Sequence, residues 1–587
     1  MLGKILNISQ NQAQIQILDK SLLATNLLNL HVIFHDNNKK ILGEIEDIKE
    51  DIISIALLGE YNDKGFIGGV IRKPSLDANV RIINDDELNL IVGFKTKESM
   101  ILGRSPLYDL KPIYVDINDF FNSHMAVFGN TGAGKSCGVT RILQNIFNSQ
   151  EFLAYGSNIF LFDVAGEYNG AFSNLNQINP NLNLKIYSSN FSDNSDKIKI
   201  PISLLETEDL ALILGATEPL QLPILSKTLE LSYLFSNKEI DSDIYKNHYL
   251  AKAIISVMYS NQTKARIRSN IFSILESCST DRINLNADIP GIGYVRKFRK
   301  CYDIDMQGNF VEDLLISDFL QSFINDSLED YEPQNTGLIT LKELLIALNF
   351  TLITEGFLNN EEYSGHAITL RVRLQSLVSN ENGKIFDYNK KTNLQQFITE
   401  LITTNQGKKV QIINFNIGNL DDWFAKAITK IYARLLFDFT KKLTPRATIP
   451  FHLFLEEAHR YVQNDNDQYL FGYNIFERIA KEGRKYGILM TMISQRLTEL
   501  SETAISQCNN FIIFKMNHPR DLEYVRKMIP NISVEIIEKM KTLQPGTAVT
   551  FGKAFKIPWI VKFDMPNPWP ESNNCDIYKT WMVNKGG

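Results

Sequence analysis

The stretch that decides the fold of this 587-residue chain is Gly129-Asn130-Thr131-Gly132-Ala133-Gly134-Lys135-Ser136. It matches the pattern G-x-x-x-x-G-K-[ST] in full, and it lies between an apolar run, His124 to Phe128, and a helical stretch from Ser136 to about Phe147. Glycines at these positions let successive backbone N–H groups turn inward around a phosphate, and the following helix points its positive end at the same place. The sequence therefore predicts a phosphate-binding loop between a buried strand and a helix.

The residue types in this pattern have chemical roles in binding ATP with Mg²⁺. Lys135 can reach the β- and γ-phosphate oxygens, and Ser136 offers a hydroxyl to Mg²⁺. The backbone of the whole loop surrounds the phosphates. The predicted cofactor-binding residues are Gly129, Asn130, Thr131, Gly132, Ala133, Gly134, Lys135 and Ser136.

A pair of acids ends a second apolar run, His452-Leu453-Phe454-Leu455-Glu456-Glu457. We expect Glu456 to hold Mg²⁺ together with Ser136, and Glu457 to polarise the attacking water. Hydrolysis needs both, because the metal neutralises charge while the base orients the nucleophile. Without the phosphate-binding loop, the two acids would more simply be a solvated strand end.

Two further polar groups are predicted to serve the reaction. Gln495 follows the apolar strand Ile488 to Ser494, where its amide can bond the γ-phosphate or the water. The basic stretch from Arg478 to Gly487 could face the nucleotide of a neighbouring subunit, with Arg484 as first choice and Arg478 in reserve. The alternatives are a surface glutamine and a solvated basic helix face.

The rest of the chain divides by its periodicity. Residues 1–98 alternate apolar and polar residues in short runs, as in a small barrel or sandwich. Residues 99–200 and 396–563 alternate strands with helices, which favours a parallel sheet covered on both faces. Residues 201–395 are Leu-rich with helical spacing and form an insertion, and residues 564–587 are an extended, Pro-rich tail. The expected fold class is α/β.

Composition limits the remaining possibilities. The net charge of −6 neither indicates nor excludes nucleic-acid binding, because a ring needs positive charge only where the strand passes. No run of about 18 apolar residues predicts a membrane span, and the N-terminus does not resemble a secretory signal, so a cytoplasmic location is expected. The five scattered cysteines form no CxxC pair and predict neither disulfides nor a zinc site.

Several motifs together resemble the HerA family, a branch of hexameric ATPases related to FtsK. They are the phosphate-binding loop, Asp163-Val164-Ala165-Gly166-Glu167-Tyr168, Glu456-Glu457-Ala458-His459-Arg460, Glu482-Gly483-Arg484-Lys485-Tyr486-Gly487 and Ser494-Gln495-Arg496. The last three in combination are specific, and the resemblance runs in order along nearly the whole chain.

This resemblance implies a RecA-like core with an N-terminal barrel, an inserted helical bundle and a C-terminal brace onto a neighbouring subunit. It implies a homohexamer that moves double-stranded DNA with ATP. It also implies a partner docked on the barrel face, either a nuclease similar to NurA or a sirtuin-like or nuclease-like effector in antiphage defence.

The sequence departs from the family's pattern in three places. Ser123 stands where many members have an arginine before the strand histidine, here His124, which puts that route of inter-subunit sensing in doubt. Val164-Ala165 replaces Pro-His in the second strand motif, and Lys481 replaces an arginine. None of these changes removes the hydrolytic residues.

The residues that contact DNA are not fixed by the sequence. Tyr294 to Lys300 mixes aromatic and basic residues as in a phosphate-gripping surface, with a partner-facing loop as an equal alternative; Lys264, Arg266 and Arg268 form a second basic patch. Two functions besides translocation stay open. The ring could be an ATP-dependent scaffold that activates an effector, or a conjugation-type translocase, although the latter usually has a membrane anchor.

Overall fold

The computed structural model describes residues 2–9, 11–18, 26–36, 39–62, 65–148, 153–193, 195–236, 242–328, 338–354, 361–463, 465–528, 534–571 and 576–582. Cys575 and part of the predicted tail lie outside these ranges. Within them, no helix has the length and apolar content to cross a membrane.

The strands are β1 (Gly3–Ile8), β2 (Gln12–Ile17), β3 (His31–Asp36), β4 (Lys39–Lys49), β5 (Ile52–Asn62), β6 (Gly65–Gly68), β7 (Asn79–Ile82), β8 (Ser99–Ser105), β9 (Lys111–Asp116), β10 (His124–Phe128), β11 (Ile159–Asp163), β12 (Leu184–Ser188), β13 (Asp196–Lys197), β14 (Asp288–Gly291), β15 (Tyr294–Lys297), β16 (Ile412–Asn416), β17 (Phe451–Leu455), β18 (Ile488–Ser494), β19 (Cys508–Phe514), β20 (Thr547–Gly552) and β21 (Trp559–Lys562).

The α-helices are α1 (Asp85–Val92), α2 (Ile117–Phe121), α3 (Lys135–Phe147), α4 (Leu175–Ile178), α5 (Thr207–Leu214), α6 (Gln221–Ser236), α7 (Ser242–Met258), α8 (Lys264–Ser277), α9 (Phe298–Cys301), α10 (Asp313–Gln321), α11 (Leu341–Thr354), α12 (Glu361–Ser379), α13 (Leu394–Leu401), α14 (Asp422–Lys442), α15 (Asp467–Phe471), α16 (Ile475–Tyr486), α17 (Glu502–Ser506), α18 (Pro519–Met528), α19 (Val534–Thr542) and α20 (Ile577–Trp581).

A 12-stranded sheet carries the phosphate-binding loop. Its order is β13-β12-β16-β11-β17-β18-β10-β19-β20-β21-β8-β9. Neighbouring strands from β13 to β19 are parallel, whereas β20, β21, β8 and β9 extend the sheet with antiparallel pairing. Every residue of β10, β11, β17 and β18 is buried, as continuous apolar runs covered by helices on both faces require. The α/β fold class is therefore confirmed.

The N-terminal strands form a separate antiparallel sheet in the order β1-β2-β5-β4-β3-β7, with β6 paired to β5. The amide of Leu2 donates to the carbonyl of Val80 at 2.6 Å, so the two ends of this order lie side by side. Its inward residues form their own apolar cluster, which includes Ile15, Phe34 and Ile55.

Residues 85–92 depart from the prediction that 1–98 contains strands only, because they form helix α1. Asn84 accepts a hydrogen bond from the amide of Glu87, and the Glu87 side chain bonds back to the amide of Asn84. Such a capping box satisfies two amides at the start of a helix. The signal was present in the sequence as Asn84-Asp85-Asp86-Glu87.

Helices α5–α13 interrupt the core between β13 and β16. The half of this insertion nearest the sheet shares one apolar cluster with it, joining Leu225 and Leu348 to Phe415. The distal half has a separate cluster that includes Leu250 and Tyr302. The insertion also contains a hairpin, β14–β15, inside the segment predicted to be mostly helical.

Candidate functional site

The phosphate-binding loop turns sharply between β10 and α3. Gly129, Gly132 and Gly134 have φ values of 154°, 74° and 98°, which favour glycine. A Cβ at Gly129 would lie 2.6 Å from the Cβ of Phe514, and one at Gly134 would lie 2.8 Å from the backbone nitrogen of Gly546. Both positions therefore exclude side chains for two independent reasons, strain and crowding.

Lys135 is positioned inside this loop. Its Nζ donates to the carbonyls of Gly129 at 2.9 Å and Asn130 at 3.1 Å. Burial lowers the pKa of Lys135, whereas the nearby carboxylates of Glu457, Glu456 and Glu167 act in the opposite direction. The cation thus lies between the loop and the acids of the adjacent strand ends.

Glu456 and Asp163 meet at the carboxyl edge of the sheet. Asp163 ends β11, Glu456 follows β17, and the two strands pair with Phe162 opposite Leu455. Burial and the neighbouring Asp163 carboxylate raise the pKa of Glu456 well above its usual range. Oε2 of Glu456 is buried without a hydrogen-bond partner among the described residues. This arrangement is the environment that a bound cation would neutralise.

Asp163 is fixed by the loop that follows it. Its carboxylate accepts from the amides of Glu167 at 3.1 Å and Tyr168 at 3.0 Å, and from Nδ2 of Asn414 at 3.3 Å. Sequence reasoning quoted Asp163 in a motif without giving it a role. The signal was an acid ending the buried run Ile159 to Asp163, as Glu456 follows Leu455.

The residues present fit a magnesium ion bound together with a nucleotide. Ser136 and Glu456 both offer oxygen atoms, which Mg²⁺ prefers, at the carboxyl edge of the sheet. Within the described ranges, no group of three or more His, Cys, Asp or Glu side chains could hold a metal alone. Mg²⁺ usually keeps several waters and is held by one or two carboxylates plus phosphate oxygens, which agrees with so sparse a donor set.

Glu457 is connected to the phosphate-binding loop through one glutamine. Nε2 of Gln495 donates to Oε1 of Glu457 at 3.2 Å, and Oγ1 of Thr131 donates to Oε1 of Gln495 at 2.5 Å. Strand β18 brings Gln495 here because it pairs directly with β10, placing Ser494 opposite Phe128. The structure thus places Thr131, Gln495 and Glu457 in one hydrogen-bonded chain.

The backbone and charge of Glu457 are both unusual. Its φ of 47° lies in the left-handed region, which costs a residue other than glycine about 1–3 kcal/mol and is concentrated at functional sites. Burial alone would raise its pKa, but His459, Lys135 and Arg460 together lower the pKa below the ordinary value. Nδ1 of His459 lies 3.2 Å from Oε2 of Glu457. Glu457 therefore remains a charged carboxylate at neutral pH.

Arg484 lies at the opposite edge of the sheet. It precedes Gly487, whose carbonyl accepts from the amide of Phe451, the first residue of β17, at 2.8 Å. Since five strand residues span about 16 Å, the amino edge is far from Glu456 at the other end. The structure therefore does not bring Arg484 to the phosphate-binding loop of its own chain.

A cavity of about 990 Å³ opens beside Arg484. Its described lining contains four permanently cationic or basic side chains, Lys95, Lys97, Arg141 and Arg484, and no Asp or Glu. Burial, followed by the charge of Arg484, lowers the pKa of His124 to about 4. The permanently charged side chains that line this cavity are therefore all cationic.

Arg478, the second candidate for an arginine that faces a neighbouring nucleotide, is on the same helix as Arg484 but packs differently. Its guanidinium lies 5.8 Å from the ring centre of Phe437 and 5.3 Å from that of Tyr473. Its Nε is 3.9 Å from Glu482. The Arg478 side chain therefore packs against residues of its own chain.

The two basic segments of the insertion lie together in space. Arg268 and Arg299 contact the same ring, that of Phe272, at 5.0 and 5.8 Å. Most cations of this surface have acidic neighbours: Arg296 pairs with Glu312 at 2.8 Å, Lys297 with Asp288 at 2.8 Å and Arg268 with Asp303 at 3.1 Å. Arg266 and Arg299 are exposed and have no ion pair among the described residues.

Comparison with known proteins finds similarity to one family of helicases. Residues 102–308 match the family model described as the central domain of helicase HerA. The chain is 24% identical over 533 residues to the "DNA double-strand break repair helicase HerA" of Pyrococcus furiosus, covering 89% of this chain and 78% of that protein. It is 23% identical over 567 residues to a probable helicase of that name from Methanocaldococcus jannaschii, covering 93% and 92%.

Shorter segments are more similar. The helicase of the same name from Saccharolobus solfataricus is 32% identical over 171 residues, which is 28% of this chain. The aligned part spans about a third of that relative's length, 33%, and 36% of the one from Sulfurisphaera tokodaii. Among solved structures, VirB4 of Thermoanaerobacter pseudethanolicus matches with a TM-score of 0.43 at 14% identity, covering 80% of this chain and 98% of that one. The conjugative coupling protein TrwB matches with 0.45 at 11% identity, covering 87% and 98%.

Proposed function

Because this chain belongs to the HerA family of P-loop ATPases, we propose that it hydrolyses ATP to move double-stranded DNA through a homohexameric ring. The observation that carries the proposal is the hydrogen-bonded chain from Thr131 through Gln495 to Glu457, which joins the phosphate-binding loop to the water-activating acid. The relatives are named as DNA repair helicases, which supports DNA as the substrate.

The residues of this chain have distinct tasks in the proposed reaction. The amides of Gly129–Ser136 and Nζ of Lys135 hold the phosphates, and Ser136 and Glu456 would hold Mg²⁺, which supplies neutralising charge when bound. Glu457 accepts a hydrogen bond from the attacking water, and Gln495 fixes the direction of that carboxylate. The lowered pKa of Glu457 keeps it in the charged form that this task needs.

The position of Arg484 supports the proposed ring. An arginine at the amino edge of the sheet cannot reach its own phosphate-binding loop, but it can enter the site of an adjacent subunit. An arginine supplied in this way stabilises charge on the transferring phosphoryl group. The cation-rich cavity beside it supports the same orientation, because an anionic nucleotide would face it.

The outer parts of the chain have proposed roles in assembly. The N-terminal sheet would be the small barrel that docks a nuclease or a sirtuin-like effector, in DNA processing or antiphage defence in the cytoplasm. The tail would brace the adjacent subunit through α20, whose Tyr578 and Trp581 are 76% and 73% exposed. Arg266 and Arg299 are the proposed phosphate contacts of the insertion, because they lack the acidic partners of their neighbours.

The proposal is tested by ATP turnover with and without double-stranded DNA. We expect DNA to stimulate turnover, and Lys135→Ala and Glu457→Ala to abolish it. A hexamer that hydrolyses ATP without any response to DNA would exclude translocation. If Glu457→Ala still binds ATP and still activates a partner, turnover is dispensable and the ring is a scaffold.

A further inference from the structure

The first part of the C-terminal tail, residues 564–571, packs on the ATPase core of its own chain; we call it the strap. Asp564 forms an ion pair with Arg104 at 3.0 Å, and the carbonyl of Met565 accepts from Arg141 on α3 at 3.3 Å. The strap therefore begins by binding both β8 and the helix that follows the phosphate-binding loop.

Gln144, on the same helix, is the centre of the strap's contacts. Its side chain is buried, and both ends of its amide bond the strap: Oε1 accepts from the amide of Asn567 at 2.9 Å, and Nε2 donates to the carbonyl of Pro568 at 2.9 Å. Nε2 also donates to the carbonyl of Ala171 at 3.0 Å. One buried side chain thus joins α3, the loop after β11 and the strap.

The end of the strap reaches the peptide group that positions Asp163. The amide of Glu571 donates to the carbonyl of Glu167 at 2.7 Å. The N–H of that same peptide group belongs to Tyr168 and donates to Oδ2 of Asp163 at 3.0 Å. Because a peptide group is rigid and planar, a bond on its C=O side fixes the direction of its N–H. Glu571 and Asp163 therefore hold one peptide plane from opposite sides.

We propose that the strap is a positioning element of the catalytic site of its own chain, acting through the Glu167–Tyr168 peptide on Asp163 and, through Asp163, on Glu456. This inference rests on the proposed ATPase function and extends it. Groups that orient the carboxylates near a metal typically change metal affinity or activity 10–100-fold when they are lost. The tail would then complete the site within one chain, separately from any contact between subunits.

A matched pair of substitutions isolates the single hydrogen bond. Glu571→Pro removes the backbone donor, whereas Glu571→Ala retains it. In the full-length protein without nucleotide, we expect Glu571→Pro to speed hydrogen–deuterium exchange in a peptide covering residues 163–171, and Glu571→Ala to match the natural protein. The Mg²⁺ concentration for half-maximal ATP turnover should rise about tenfold in Glu571→Pro only. Equal behaviour of the two variants in both measurements would overturn the proposal.

Two truncations keep the test decisive if Glu571→Pro folds poorly. A chain ending at Glu571 retains the strap and loses α20, whereas a chain ending at Phe563 loses both. We expect fast exchange over residues 163–171 only in the chain ending at Phe563. If both truncations exchange equally fast, α20 and not the strap controls the loop, and the proposal fails. Hydrogen–deuterium exchange can be measured without ATP turnover. A natural protein that does not hydrolyse ATP would therefore refute the proposed function and leave the test of the strap intact.

Discussion

At the scale of single residues, the site depends on side chains that the sequence lists far apart. Gln495 and Thr131 are 364 positions apart, yet they are hydrogen-bonded because β18 and β10 are adjacent parallel strands. Glu457 has a φ of 47°, a left-handed value that costs energy in any residue other than glycine.

Loss of Gln495 should slow the chemical step and leave nucleotide binding nearly unchanged. Gln495→Ala leaves Glu457 free to turn away from the water, and positioned acid–base groups contribute about 10²–10⁴-fold to rate. We expect kcat for ATP to fall within that range with little change in KM. Gln468→Ala, at an exposed glutamine of α15, is the matched control and should have normal turnover. A rise in KM at unchanged kcat would assign Gln495 to binding only.

At the scale of elements, prediction succeeded where a pattern is local. The apolar runs at β10, β17 and β18 and the loop at Gly129–Ser136 are predicted from their own residues, and the structure confirms those elements. Helix α1 was missed, although Asn84 and Glu87 form a capping box, because alternation in the neighbouring runs outweighed it. The roles assigned to site residues stay predictions.

Other features could not be predicted because they depend on distant pairing. Asp163 and Glu456 are brought together by two strands that are separated by the whole insertion. Arg484 lies at the amino edge of the 12-stranded sheet because β17 and β18 run parallel, and this strand direction is set by pairing between distant segments. The basic segments around Phe272 meet only through packing of the insertion. The acids that pair with Arg268 and Arg296 are 35 and 16 positions away from them in the sequence.

The insertion is attached to the core by a buried ion pair. Arg434 of α14 binds Asp209 of α5 at 2.5 Å, and both side chains are buried. Burial raises the pKa of Asp209 to about 6 even though Arg434 opposes the change. Burying these two charges costs desolvation free energy, which their mutual attraction offsets only when both partners are present.

Breaking this pair on one side should destabilise the junction strongly. Arg434→Met leaves Asp209 buried without its partner, and we expect the free energy of unfolding to fall by about 3–5 kcal/mol. The double variant Arg434→Met with Asp209→Leu should recover most of the loss. Lys384→Met, which removes an exposed pair with Glu381, is the control and should cost about 1 kcal/mol or less. Denaturant melts measure all three, and no recovery in the double variant would contradict the argument.

At the scale of the whole molecule, a group of acidic side chains lies at one edge of the sheet and a cation-lined cavity lies at the other. The carboxyl edge carries Asp163, Glu456 and Glu457, and the amino edge carries Arg484 and the cation-lined cavity. In the proposed ring, each anionic nucleotide would meet the cations of the next subunit.

Mixed assemblies test whether Arg484 acts between subunits. We expect Arg484→Ala to lower kcat by about 10³-fold or more while ATP binding persists. Mixing this variant with Lys135→Ala should restore turnover above either alone, since some interfaces would combine an intact loop with an intact arginine. Lys485→Ala, the adjacent exposed cation, is the control. Absence of recovery in verified mixed rings would place Arg484 outside the reaction.

The first and last strands of the large sheet's domain lie side by side. Strand β8, the first after the N-terminal sheet, pairs with β21, the last before the strap, and Arg104 of β8 binds Asp564 beyond β21. The polypeptide therefore enters and leaves the 12-stranded sheet at the same corner. A domain whose two ends adjoin can be exchanged as a unit, so different N-terminal domains can be fused to it without reordering its strands.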